Sequence, residues 1–162
     1  MTYLIAAITV MALLEGPTQQ PGPAITIPTR YRPPVAAMLR YSPTFRRQYS
    51  RIARTPNLRV EIVPSLLAGA PGGALTRIVR SDRGMDASVH LAPIGDPFVL
   101  IAHEFEHILE QLDEVDLPVM ARRVATGVRL VPGTGHFETE RAIAAGHQVA
   151  GEVRRGRARD GT

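Results

Sequence analysis

The run from Asp96 to Leu112, "DPFVLIAHEFEHILEQL", limits what this chain can fold into more than any other stretch. An aspartate followed by proline opens a helix: the carboxylate can accept first-turn N–H groups, and proline there gives up no hydrogen bond. No glycine or further proline interrupts the run, and Ile101, Phe105, Ile108 and Leu112 recur at helical spacing. Such a stripe must be buried, so this helix needs a core to lie on. His103 and His107 fall four residues apart, on one face and about 5.4 Å, one turn, from each other. Two imidazoles so placed can grip a single metal ion. Glu104 sits about 100° round the helix from His103, within reach of a water beside that ion. The plainer alternative is a helix that carries two surface histidines.

Composition narrows the donors. The chain has 162 residues, 44% hydrophobic and 21% charged, and reads as one globular domain with a modest core. It has no cysteine, which excludes disulfides and thiolate zinc sites and leaves histidine nitrogen and carboxylate oxygen as metal ligands. All 19 basic residues are arginine and the formal net charge is +4, a balance that could favour anionic partners. The arginines are scattered, however, and aromatics make up only 5% of the chain, too few for base stacking. Nucleic acid is therefore not an expected partner.

An apolar run from Tyr3 to Leu14 is too short for a membrane span of about 20 residues but matches the core of an export signal. Residues 1–15 are expected to be a signal peptide, and the protein to be periplasmic or secreted. No basic residue precedes the run and no small-x-small site follows it, so a buried first element is the alternative. Six prolines between Gly16 and Pro34 suggest an extended linker over 16–33, with the working domain at 34–156 and a frayed basic tail at 157–162. Ser42-Pro43 predicts a second capped helix, with Phe45, Tyr49 and Ile52 opposite an arginine face, ending before Pro56. "LRVEIV" at 58–63 alternates as a strand, and "ALTRIVRS" and "ASVHLAP" flank a hairpin turn near Gly84. "LLAGAPGGA" lacks the Lys-Ser/Thr of a phosphate-binding loop. A short helix around 119–125 and a last helix from Phe137 to Arg155 complete an α+β order.

A catalytic zinc site needs three protein ligands and one open position. His103-Glu104-Phe105-Glu106-His107 resembles the His-Glu-x-x-His signature of zincin metallopeptidases. The resemblance implies Zn2+ as cofactor, His103 and His107 as ligands and Glu104 as general base, in a zincin-like α+β domain with a small antiparallel or mixed sheet. The metzincin branch requires a third histidine soon after the second, and "ILEQLDEVDLP" has none. The gluzincin branch takes a glutamate from a later helix, and "FETERAIAAGHQVAGEV" offers one. Small, minimal gluzincins are the closest comparison, over roughly Asp86 to Val153.

On a wheel of about 100° per residue, Ala142, Ala145, Gly146, Val149 and Val153 form the buried face of that last helix. Glu138 lies at the edge of this face and Glu140 points to solvent, so Glu138, carried by the C-terminal helix, is the expected third ligand. Small residues along the face let the two helices approach closely. Gluzincins often place an aspartate four residues after the ligand glutamate as support, and here that residue is Ala142. Glu110, on one face with His103 and His107, is the candidate replacement, its plainer reading being an exposed charge. His136 is either a group that stabilises an oxyanion or a loop histidine, and His147 falls on the solvent side of its helix. His90 lies on "ASVHLAP", where zincins place an edge strand that substrate peptide extends. That strand is expected to line the cleft, with no chemical role for His90.

The function so implied is a monomeric zinc-dependent peptidase acting on a peptide or protein, with no membrane span. Two alternatives are a non-catalytic zinc-stabilised binding module and an arginine-rich binder of nucleic acid or anionic surfaces. Glu104 favours the peptidase, because a structural site needs the ligands but not the base.

Overall fold

Proline placement sets where the first elements begin. The computed structural model describes residues 24–65 and 73–161. Strand β1 (Ile25–Thr26) leads through a 3-10 turn at Thr29–Tyr31 into helix α1 (Arg32–Tyr41). Pro33 and Pro34 occupy the first turn of α1, where backbone N–H groups have no helical partner, so they start the helix rather than forbid it. The expected linker over 16–33 is thereby corrected: from Ala24 onward it belongs to the fold, and Tyr31 is buried. The expected signal peptide, and residues 66–72 of the glycine-rich loop, lie outside the described residues. Ser42 caps helix α2 (Pro43–Arg54), its hydroxyl accepting from the Phe45 N–H at 2.9 Å.

Strand β2 (Leu58–Pro64) buries Leu58, Val60 and Ile62 and exposes Arg59 and Glu61, the alternation of a half-buried strand. Strands β3 (Ala74–Ser81) and β4 (Gly84–Leu91) form the expected hairpin. Gly84 closes it at φ +132°, where an added Cβ would meet the Asn57 carbonyl oxygen at 2.1 Å. The sheet runs β1-β2-β4-β3, with β1–β2 and β2–β4 parallel and β3–β4 antiparallel. The edge beside the site is therefore β3. The expectation that the His90 strand would be that edge is corrected, because β4 pairs on both sides.

Helix α3 (Pro97–Leu112) is the helix expected from Asp96-Pro97, and the Asp96 carboxylate accepts from the Phe98 N–H at 2.9 Å. Ile101, Phe105 and Ile108 are fully buried beneath it, with Leu112 half-buried. A short helix α4 (Leu117–Ala121) and a two-stranded ribbon, β5 (Val128–Leu130) with β6 (Phe137–Thr139), lead to helix α5 (Glu140–Asp160). Two boundaries differ from expectation. Thr139 caps α5, accepting from the Ala142 N–H at 3.0 Å, so Glu138 sits on β6 and not on the C-terminal helix. The tail expected to fray from 157 is helical to Asp160, whose carboxylate accepts from Arg40 and Tyr41, each at 2.6 Å.

The buried face of α5 is the expected one, joined by Ala150. At Gly146 a Cβ would stand 2.9 Å from the Val99 carbonyl oxygen, so α5 crosses α3 at backbone contact. The result is an α+β domain whose small mixed sheet meets its helices through Val60, Ile62, Val89, Phe105 and Val149. Among the described residues no helix is long and apolar enough to cross a membrane.

Two predictions follow from this packing. Alanine is normally favoured over glycine inside a helix by about 1 kcal/mol, but at 146 the new methyl meets a backbone carbonyl that cannot rotate away. Gly146→Ala should therefore destabilise by about 1–2 kcal/mol in urea unfolding, and a gain in stability would refute the close crossing. Glu152 on α5 accepts from Ser42 and from the Thr44 N–H and hydroxyl. Burial pushes this carboxyl up, but hydrogen bonds from Ser42, Thr44 and Gln148 outweigh it and hold it below the usual range. A depressed folded value stabilises the fold above the ordinary glutamate pKa of about 4.3, and that gain is lost as pH falls through the folded value. Glu152→Gln should cost about 1 kcal/mol at neutral pH, after allowing for solvent screening, and less below about pH 4. An unchanged difference across that range would remove Glu152 from the account.

Candidate metal centre

Helix α3 aims His103 and His107 toward the same point because they stand one turn apart on a face that the core does not cover. Their Nε2 atoms are 3.1 Å apart. Strand β6 brings Glu138 over them, with Oε1 at 3.2 Å from His103 Nε2 and 3.8 Å from His107 Nε2. A triangle with edges of 3.1, 3.2 and 3.8 Å has a circumscribed radius of about 2.0 Å, the length of a metal–nitrogen or metal–oxygen bond. The three donor atoms are thus spaced as ligands of one small divalent cation would be. These three residues form a group able to hold a metal ion.

The donors are held by a second set of contacts. His107 Nδ1 lies 2.8 Å from Glu110 Oε2, a carboxylate that can only accept, which puts a ring proton on Nδ1 and turns Nε2 toward His103 and Glu138. Burial works against a charged His107, but the Glu110 hydrogen bond and the carboxylates of Glu104, Glu110 and Glu138 outweigh it and raise its pKa. Glu110 is only 2% exposed, and its other oxygen accepts from the Thr139 hydroxyl at 2.6 Å. One buried carboxylate therefore ties a histidine of α3 to the residue that follows Glu138. Arg141 adds a second tie: its guanidinium bonds Glu106 of α3 and, at 2.8 Å, Asp113 just past the end of that helix. Glu106 also accepts from Gln48 of α2 at 2.6 Å.

Glu104 stands beside the triangle without joining it. Its Oε1 is 4.0 Å from His103 Nε2 and its Oε2 accepts from the Thr76 hydroxyl of β3 at 2.7 Å. Burial raises its pKa, against the lowering effect of Thr76 and the two histidines. A cleft of about 290 Å³ opens over the group, with Leu75, Thr76 and Ile78 of β3 on one wall and Leu117, Val131 and Phe137 opposite. His136 is exposed on its rim, while Glu140 and His147 are exposed on α5. His90 is half-buried on β4 and lines no part of this cleft.

Sequence reasoning did not single out Thr76, Thr139 or Arg141. Thr139 left a signal, since a threonine ahead of "ERAIAA" is a capping residue and marks the helix start. Thr76 and Arg141 left none, because their partners are 28 and 35 residues away.

Zinc titration of variants tests the arrangement. Glu138→Gln should weaken binding by well over tenfold, and Thr139→Val by roughly 10- to 100-fold through its support of Glu110. Glu140→Gln and Thr139→Ser should match the parent. A larger loss in Glu140→Gln than in Glu138→Gln would reassign the third ligand.

Comparison with protein-family models, curated proteins and solved structures finds no match, so the functional reading rests on the geometry of this site.

Proposed function

We propose that this chain is a zinc-dependent peptidase of the zincin-like kind, with the His-His-Glu donor set of the gluzincins but its glutamate, Glu138, carried by strand β6 rather than by a later helix. The observation that carries the reading is a buried carboxylate, Glu104, set beside a three-donor triangle of His103, His107 and Glu138 in a cleft walled by β3, the edge strand among the described residues. A zinc ion held by those donors would polarise a peptide carbonyl and acidify a water. The chain's own groups do the rest. Glu104 takes the proton of the attacking water and returns it to the leaving amine, and a carboxyl raised by burial serves both transfers better near neutral pH. Thr76 holds that carboxylate by one oxygen and leaves the other toward the site. Among the described residues strand β3 has no neighbour on the side beside Thr76, where an extended peptide can pair backbone to backbone. Glu110 keeps His107 in the tautomer that presents a lone pair.

Metal analysis and a peptide-library assay on parent and Glu104→Gln protein test this reading together. The parent should carry one zinc per chain and cleave peptides. The variant should keep its zinc and lose activity by about 100-fold or more. A parent that binds zinc, gains thermal stability from it and cleaves nothing would instead be a zinc-stabilised binding module. A variant that cleaves as the parent does would remove Glu104 as the base.

A further inference from the structure

At the N-terminal end of α3, a second hollow of about 320 Å³ shares no lining residue with the catalytic cleft. Its walls are apolar and stiff: Pro33 and Pro34 from α1, Pro93 from the β4–α3 connection, Pro97 at the start of α3, and the rings of Tyr31 and Phe98. Tyr31 is buried, and its hydroxyl donates inward to the Leu91 carbonyl at 3.4 Å, which leaves the ring to the pocket. Two guanidinium groups complete the lining. Arg30 lies over the Tyr31 ring and Arg157 over the Phe98 ring, each 5.0 Å from the centroid. No acidic residue lines the hollow, and neither arginine has a carboxylate partner among the described residues.

This combination is unusual in the molecule. Arg40 also lies over an aromatic ring, that of Tyr41, but it is paired with Asp160, and Arg51, Arg59, Arg141 and Arg154 are paired with carboxylates too. Arg30 and Arg157 instead lie against aromatic faces, which orders a guanidinium without neutralising it. In such a contact the guanidinium N–H groups stay available for a planar anion. Prolines and aromatic rings lose little freedom when an apolar group fills the space between them, and the volume is at the small end for ligand pockets, about 300 Å³.

We propose that this pocket binds a small apolar carboxylate, with its ring or branched chain between the prolines and its carboxylate on the guanidinium edges of Arg30 and Arg157. The charge and the apolar part are both required. A free phosphate lacks the body to fill the pocket, and a neutral ring leaves the two cations without a counter-charge. The proposal does not depend on peptide hydrolysis at the metal centre.

The test is a titration of the full-length, metal-loaded protein, followed by residue-resolved NMR, with N-acetylphenylalanine and its neutral amide as probes. The acid should bind with a Kd of about 1 mM or tighter, as expected for about 15 heavy atoms, and shift the signals of Tyr31, Phe98 and Leu100. The amide should bind about tenfold more weakly, and Arg30→Gln and Arg157→Gln should each weaken the acid but not the amide. Equal affinity for acid and amide overturns the proposal, as does no binding at roughly ten times that concentration. Shifts confined to His103, His107 and Glu138 also overturn it, because the acid would then be only a ligand of the metal centre.

Discussion

The backbone contact between α3 and α5 is the constraint on which the rest of this molecule depends. At Gly146 the two helices are too close for a side chain, with the Val99 carbonyl 2.9 Å from where a Cβ would stand. A wider crossing would carry the start of α5, and the strand just before it, away from the histidines. The stripe of small residues serves two purposes at once. It buries apolar surface against α3, and it sets how near a group carried by the β6–α5 junction can come to a group on α3. A larger face would still form a core. It would not form this site.

Contact alone does not fix the register between two helices, and polar ties supply what packing leaves loose. Glu110 is shared by His107 and Thr139, so neither can shift without the other. Arg141 repeats the device one turn along, with Glu106 and Asp113 as partners on the α3 side. Glu106 and Glu110 are both buried, a costly arrangement unless every oxygen is bonded, and here each of their oxygens has a donor. Glu138 is the exception in design. It faces two imidazoles and the Thr139 N–H, and its pKa falls because these favourable neighbours outweigh burial, with His103 first among them.

Local signals in the sequence carried a good part of this. Asp96-Pro97 and Ser42-Pro43 marked two helix starts to the residue, because a cap and a proline act within a single turn. The hairpin at Gly84 was legible for the same reason. What could not be read was set by distant partners. Strand order is one case: nothing within "ASVHLAP" says that it pairs on both sides, so the cleft edge was assigned to β4 instead of β3. Glu138 is another. "FETERA" is rich in helix formers, yet Phe137, Glu138 and Thr139 are drawn into a ribbon by residues 128–130. The structure brings Glu138, and not Glu140, beside the two histidines, although a helical wheel does not apply to a residue on a strand. The C-terminal residues show the same effect, since "RRGRARD" stays helical where Asp160 meets Arg40 and Tyr41.

Taken as a rigid rod, helix α5 has the proportions of a lever. Its 21 residues span about 30 Å, and Gly146 is its fulcrum, about 10 Å from Thr139 and about 20 Å from Asp160. A sideways displacement at the Asp160 end arrives at Thr139 reversed in direction and reduced to about half. The far anchor is itself tight, because an added Cβ at Gly156 would meet the Tyr41 ring at 2.6 Å. The spacing between Glu138 and the two histidines is therefore sensitive to how α1 seats the opposite end of this helix. A crowding substitution at the junction of Tyr41 and Gly156, remote from every candidate ligand, would be felt as a change in the shape of the triangle formed by His103, His107 and Glu138.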